Sequence, residues 1–243
     1  MRKILGSDVI RIFEDELKER FIRKKTLFIV LGLLGDFDSF EYIQFLIPFL
    51  EPLNKSNINL MVVGIGSEDS KDKFCKYTKF PKQNLRVVNN TIIHRSLNID
   101  SGLEMPVPAL LNLIIMCLGI HSPGTLKEVM RGYLGDQYAK SIFKRDDYIK
   151  FILDIKIKAN LFNVISENGS LRPFELASLR LMNMIEVLSN WSVYMEKESH
   201  LTQRSATFLI DDNENILYSY FSKSLLGYSE NMSNPLEFLD NYI

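Results

Sequence analysis

The sequence is poor in the residues from which dedicated catalytic and metal sites are built. It has two cysteines, Cys75 and Cys117, and three histidines, His94, His121 and His200, in 243 residues. Two cysteines provide no disulfide framework and suit a reducing compartment. The histidines lie far apart without ligand spacing such as HxxxH, so each reads as a surface or hydrogen-bonded core residue. The glycine pairs Gly32/Gly35 and Gly64/Gly66 follow apolar runs, yet neither completes a GxGxxG or a P-loop. Charge of one sign is lacking too: 29 Lys and Arg stand against 30 Asp and Glu, a net charge of −1. With its basic residues scattered, the chain has no phosphate-backbone footprint, and no nucleic-acid partner is expected. The longest apolar stretch, Val107 to Ile120, contains Pro108 and Asn112 and falls short of the ~20 residues a membrane-crossing helix needs. Met1 to Phe21 mixes charged residues, among them Arg2, Lys3, Asp8, Arg11, Glu14, Asp15 and Glu16, with spaced apolar ones and lacks the continuous core of a signal peptide. The expected setting is therefore cytoplasmic, extending at most to the periphery of an internal membrane.

At 46% hydrophobic residues, a chain of this length buries roughly 70–75% of the surface its unfolded form exposes, so it needs no disulfide or metal to hold a core. It reads as one large domain, or one domain with a sizeable insertion. Ile4, Val9, Ile10, Phe13, Leu17 and Phe21 recur at helical spacing and predict an amphipathic helix over 7–22, with Ser7 as its cap. Thr26 to Leu31 is then a continuous apolar, β-branched and aromatic run, which suits a strand buried on both faces. A helix over 40–53, a strand Leu60 to Ile65, a short helix around Lys71 to Thr78 and a strand Leu85 to Val88 follow. Such alternation implies a parallel sheet with crossover helices, hence an α/β core.

From Leu103 the pattern turns helical, with apolar segments over 108–118, 126–134, near 146–165 and 173–195. In the last of these, Pro173 suits a first helical turn, and Leu176, Leu179, Met182, Ile185, Leu188 and Trp191 lie three apart on one face. The stretch near 146–165 is assigned as helix although Leu153, Ile155 and Ile157 alternate with charged residues in a strand-like period. Ala206 to Ile210 and Ile216 to Tyr220, joined by a polar turn, read as a β-hairpin, and 233–241 as a closing helix.

This order of elements is that of a thioredoxin-like domain, and several segments carry a closer resemblance. Thr26 to Leu46 resembles the first strand and active-site helix of the peroxiredoxin-like family related to alkyl hydroperoxide reductase and thiol-specific antioxidant proteins. Phe74-Cys75-Lys76-Tyr77-Thr78-Lys79-Phe80-Pro81 is similar to its Phe-Cys…Thr-Gly-Phe/Tyr segment, and His94-Arg95-Ser96-Leu97 to the end of its Tyr-Lys-Ala-Leu-Gly run. Ala206 to Tyr220 resembles its terminal hairpin. The resemblance implies an N-terminal helix over 1–22, a thioredoxin-like domain made of 23–102 and 203–243, and a helical insertion over 103–202. Gly35 to Ser39, Ser122 to Leu126 and Arg172 to Ala177 further resemble a variant of photosynthetic prokaryotes and plastids, which implies association with photosynthetic membrane complexes. Redox-active relatives open the first helix with Cys-x-x-Cys, whereas the matching positions here are Asp36 and Ser39. A carboxylate and a hydroxyl cannot attack a peroxide and be recycled through a disulfide.

Asp36, Asp38 and Glu41 surround the start of that helix, where unpaired N–H groups favour negative charge. Asp38-Ser39-Phe40-Glu41 fits an acidic capping box, with Asp38 accepting a backbone N–H and Glu41 reaching back. Asp36, Asp38, Ser39, Glu41 and Arg204 are also the candidates for a ligand or partner contact. The carboxylates have no coordination-loop spacing, so neither a metal nor a cofactor is expected. Cys75 and Cys117 read as buried core thiols, with Cys75 as the fallback nucleophile.

Three functions compete. The first is a redox-inactive peroxiredoxin-like scaffold that reaches a protein partner, or the periphery of a membrane, through apolar residues of the helical insertion. The second is an antioxidant oxidoreductase using Cys75, alone or with Cys117. The third is a small-molecule binding module whose pocket is bordered by Asp36, Ser39 and Arg204. The missing Cys-x-x-Cys favours the first.

Overall fold

The computed structural model describes residues 4–21, 23–150, 156–164 and 169–243. Helix α1 (Gly6–Leu17) leads into β1 (Thr26–Leu33), α2 (Phe37–Leu46), a 3-10 turn over 47–49 and α3 (Leu50–Lys55). Then come β2 (Asn59–Ile65), α4 (Glu68–Thr78), β3 (Leu85–Val88) and α5 (Ile92–Ser96). After a long excursion the chain returns as the hairpin described below. Helix α1 begins at Gly6, so Ser7 lies inside it and not at its cap, where Leu5 stands. It stops at Leu17 because Lys18 takes a left-handed conformation.

The excursion contains α6 (Ala109–Cys117), α7 (Thr125–Leu134), β4 (Asp136–Lys140), β5 (Tyr148–Lys150), β6 (Lys156–Lys158), β7 (Ser170–Leu171), α8 (Glu175–Ser189) and α9 (Trp191–Tyr194). It is therefore not purely helical. Where a helix near 146–165 is expected, β5 and β6 pair antiparallel with Ile149 opposite Ile157, and 159–164 is a 3-10 turn. The strand-like alternation was the better guide there, although Leu153 and Ile155 lie outside the described residues. Strand β4 pairs with β7. The predicted helix over 173–195 is two helices: Phe174, left-handed at φ 64°, holds the N-cap of α8, and Asn190 separates α8 from α9.

Strands β8 (Ala206–Ile210) and β9 (Ile216–Phe221) complete a five-stranded sheet in the order β3-β2-β1-β8-β9. Its first three strands are parallel, and β8 and β9 are antiparallel additions. Thr26 faces Asn59 on one side and Ile210 on the other, so the return of the chain after residue 205 closes onto the strand that opened the domain. This is the α/β, thioredoxin-like arrangement expected from the sequence, with helices on both faces of a central sheet. The closing helix over 233–241 is reduced to a 3-10 turn at Glu237–Leu239, since Pro235 and the turn at Asn231 occupy its first half.

Every residue of β1 is buried, as the unbroken apolar run predicted. Leu27, Ile29, Leu31 and Leu33 enter the larger core with α2, α4, parts of the excursion and the C-terminal tail. Phe28 and Val30 enter a second core under α1 and α5. His94 on α5 is sealed there, with Nε2–H donating to the Leu31 carbonyl at 2.7 Å, and burial depresses its pKa to about 4. It is a neutral structural histidine.

The two ends of the excursion meet at one place. Arg204 N–H and Gln203 Nε2 both donate to the Asp100 carbonyl, at 2.9 and 2.7 Å. Gly102 has φ +79°, and a Cβ there would strike the Thr202 carbonyl oxygen. A segment that leaves and re-enters at adjacent points disturbs the sheet least. Substituting Gly102→Val should lower the unfolding free energy in urea by about 2 kcal/mol or more, because it adds both an unfavourable φ and a clash. An unchanged midpoint and slope would show that this junction is not held closed.

Candidate functional site

The site of interest is the N-terminus of α2, where β1 hands the chain to the helix. Asp36 is the N-cap: its Oδ1 accepts the Ser39 N–H at 2.6 Å. The expected box centred on Asp38 is therefore shifted by two residues. Gly32 makes this approach feasible, since a Cβ at that position would collide with the Asp36 carboxylate and the Gln203 carbonyl. Ser39 Oγ donates to the Leu33 carbonyl at 3.1 Å.

Freed from capping, Asp38 and Glu41 turn inward. Asp38 Oδ2 takes Arg204 Nη1 at 3.1 Å, and its Oδ1 takes the Leu226 N–H at 2.7 Å. Glu41 receives a two-pronged contact from Arg180, at 2.6 and 3.1 Å, plus the Tyr228 hydroxyl at 3.0 Å. One turn on, Gln44 and Asn183 exchange both amide hydrogen bonds at 2.9 Å, and Tyr77 donates to Asn183 Oδ1 at 3.0 Å. Residues 38, 41 and 44 share one face of α2 by the i, i+3 rule. Arg180 and Asn183 share a face of α8 by the same rule. The two polar stripes face each other, and the insertion is docked on α2 through them.

This docking overrides the apolar spacing of α8. Leu176, Leu179, Asn183 and Val187 are buried while Leu188 and Trp191 are exposed. The inner face of α8 is rotated from the predicted one because Arg180 and Asn183 must meet Glu41 and Gln44. Nothing in the spacing of the leucines announced that. The only available signal was the pairing of acidic and amide residues at 38, 41 and 44 with basic and amide residues at 180 and 183.

All five predicted ligand or partner residues converge: Asp36 and Asp38 are 3% exposed, Arg204 1%, Ser39 and Glu41 fully buried. Their polar groups are largely occupied by one another, so a ligand would reach them only after the cluster opens. Arg204 also donates to the Thr202 and Ser224 carbonyls, and its Nη2 is buried without a partner among the described residues. Burial, reinforced by the neighbouring Asp38 charge, raises the Asp36 pKa to about 7 against the pull of Arg204 and of the Ser39 hydrogen bonds. Asp38 is raised as well, chiefly by burial and despite Arg204. Among the described residues, no group of three or more His, Cys, Asp or Glu side chains is arranged to hold a metal ion.

The thiols lie elsewhere. Cys75 is buried on α4, and burial pushes it up to about 11 although Lys71 and Lys82 pull the other way. Cys117, expected in the core, is only partly buried at the end of α6. It lines an apolar groove beside Phe37, and burial together with the Asp38 charge raises its pKa.

The mixed thioredoxin-like sheet agrees with what comparison with known proteins finds. The family model of AhpC/TSA antioxidant enzymes matches residues 45–224, and the chain belongs to that family. The match begins beyond Asp36 and Ser39 and runs through the insertion to the end of the hairpin. No curated protein and no solved structure matches the chain. Among the described residues, no helix is long and apolar enough to cross a membrane.

Two outcomes follow for the cluster. Asp36 is protonated in the folded chain up to about pH 7 but ionised in the unfolded chain above its ordinary value of 3.8. Its contribution is therefore complete below about pH 4 and is lost as the pH rises through 7. Asp36→Asn keeps an acceptor for Ser39 N–H, so its stability relative to the wild type should grow between pH 5 and pH 8, by an amount of the order of 2 kcal/mol. Parallel urea midpoints across that range would contradict the assignment. Removing Arg204 has the opposite character, since Arg204→Met strands the Asp38 carboxylate. It should cost roughly 3–5 kcal/mol, much of it recovered in the double variant Asp38→Asn/Arg204→Met. Strict additivity in the thermodynamic cycle would refute the pairing.

Proposed function

We propose that this protein is a member of the AhpC/TSA family without peroxidase chemistry, acting as a binding or scaffold module. The observation that carries this reading is the state of the α2 opening. By the resemblance of Thr26 to Leu46, the helix start that would stabilise an attacking thiolate holds Asp36, and Ser39 stands at the position of the second thiol. Both are buried in a closed polar cluster. Neither cysteine substitutes for them, because both thiols are held above their ordinary pKa and little thiolate is present near neutral pH.

The partner is a protein reached through exposed apolar residues of the insertion, among them Leu181, Met184 and Leu188. Association with photosynthetic membrane complexes rests on the resemblance of Gly35–Ser39, Ser122–Leu126 and Arg172–Ala177 alone. All three segments are engaged in folding. Ser122 Oγ and Thr125 Oγ1 clamp Leu225 at 2.8 and 3.2 Å, while Arg172 and Glu175 form a buried ion pair at 2.6 Å. An antioxidant reaction at Cys75 is the rival reading, and it requires the thiol to become exposed and acidic.

Mixing the reduced protein with hydrogen peroxide under a thioredoxin or dithiothreitol recycling system should consume peroxide no faster than an equal concentration of free cysteine. Fast turnover that needs the reductant and disappears in Cys75→Ser or Cys117→Ser would overturn the proposal. Slow oxidation of partly exposed Cys117 would not count against it.

A further inference from the structure

At the end of α2 remote from the sealed cluster, separate parts of the chain enclose a cavity of about 570 Å³. Phe45 and Phe49 wall it from α2 and the turn that follows, Leu171 and Leu179 from β7 and α8, and Met232 and Leu236 from the C-terminal tail. Its volume lies within the ~300–1,000 Å³ of small-molecule sites, which combine apolar walls with a few placed polar groups. The tail side is pinned, since Ser233 Oγ donates to Asp136 Oδ2 at 2.6 Å and the Ser229 hydroxyl to the Pro235 carbonyl at 2.8 Å.

Arg131 of α7 also lines this cavity, with a side chain only 9% exposed. Its Nε donates to Glu128 at 2.7 Å and its Nη1 lies 3.5 Å from Asp136, while Nη2 is buried without an acceptor among the described residues. Leaving a donor of a charged group buried and unpaired is more costly than leaving a neutral one, so an acceptor supplied from the cavity is favoured. The charges already present select the kind of acceptor. Glu128 and Asp136 set two carboxylates, 11% and 8% exposed, against one guanidinium. Against its burial, hydrogen bonds from Ser233 and the Tyr138 N–H, together with the Arg131 charge, hold Asp136 below its ordinary pKa, so it is ionised at neutral pH. A third anion would enter a site whose cation is already compensated twice, whereas a neutral carbonyl oxygen accepts the same hydrogen bond without that repulsion. Lys140, the other cation at the cavity, is exposed and screened by water.

We propose that this cavity binds a small apolar molecule carrying a neutral carbonyl group, as in a ketone, ester or amide. The carbonyl oxygen accepts from Arg131 Nη2, and the apolar body packs against Phe45, Phe49, Leu179 and Leu236. To make this contact the guanidinium leaves its long 3.5 Å approach to Asp136 while the 2.7 Å bond to Glu128 anchors it. Asp136 keeps the Ser233 hydroxyl and the Tyr138 N–H as partners. Neither thiol and no residue of the α2 opening lines the cavity, so the site goes beyond the scaffold reading and holds or fails independently of it.

The probe is the fluorescent ketone propionyl-dimethylaminonaphthalene, whose emission shifts to the blue in apolar surroundings. Titrated with the full chain, it should bind saturably with a micromolar dissociation constant. Dimethylaminonaphthalene, which lacks the carbonyl, and dimethylaminonaphthoate, which carries a carboxylate in its place, should each bind at least roughly ten-fold more weakly. Arg131→Lys keeps the charge but removes Nη2, and should erase the preference for the ketone over the compound without a carbonyl. Ser141→Trp, at a partly exposed position lining the cavity, should block uptake of the ketone with unchanged circular dichroism. Met184→Glu, at an exposed position of α8 outside the cavity, should leave uptake intact. Absence of saturable binding, equal affinity for all three compounds, tighter binding of the carboxylate, or uptake that survives Ser141→Trp would each overturn the proposal. Uptake lost in Met184→Glu would overturn it as well, by placing the probe in another groove. Reductant-dependent peroxide turnover would end the scaffold reading and leave this site standing.

Discussion

The rest of this structure depends on the requirement that the carboxylates at the start of α2 be matched inside the protein. Asp38 and Glu41 project from a helix buried on all sides, and an unpaired charge there would cost several kcal/mol. Arg204 and Arg180 meet them, and these arginines come from chain segments 166 and 139 residues away. Pairs of this kind add little net stability over apolar residues of equal volume, yet separating them is expensive. Their consequence is selective: any packing in which the insertion or the C-terminal tail sits elsewhere leaves a bare charge buried.

Three separate parts of the chain are thereby fixed at one point. Leu226 is held by Asp38 and the adjacent Leu225 by Ser122 and Thr125, so α2, the start of α7 and the tail after β9 meet at two consecutive residues. Arg180 ties α8 to α2 and also donates to the Glu128 carbonyl of α7. The segment from α6 to α9 is thus an integral layer of the fold, and the face it presents outward is set by the face it must present inward. With Arg180 and Asn183 turned toward α2, Leu181, Met184 and Leu188 are left on the outside.

The same arrangement explains the chemistry available at the opening of α2. A helix N-terminus favours an anion, and in a thiol enzyme that preference lowers the pKa of the attacking group. Here burial and the neighbouring Asp38 outweigh it, so Asp36 is raised to about 7. The position is occupied by a capping acid, and the two thiols sit where burial suppresses ionisation.

What the sequence determined by itself is local and periodic. The unbroken run at Thr26 to Leu31, the strand at Leu85 to Val88 and the hairpin after Ser205 were legible because burial on two faces and turn chemistry leave a direct imprint on neighbouring residues. That Asp36 and Ser39, and no cysteine, stand at the opening of α2 was legible for the same reason. The tertiary structure alone decided which acid caps α2, which face of α8 is buried, and that residues 148–150 and 156–158 pair as strands. It also decided that Asp36, Asp38, Ser39, Glu41 and Arg204 form one sealed cluster, although the sequence had already singled out each of them. The face of α8 and the sealed cluster turn on pairing between residues more than a hundred positions apart, and a buried charge selects its partner by distance in space, which spacing along the chain does not encode.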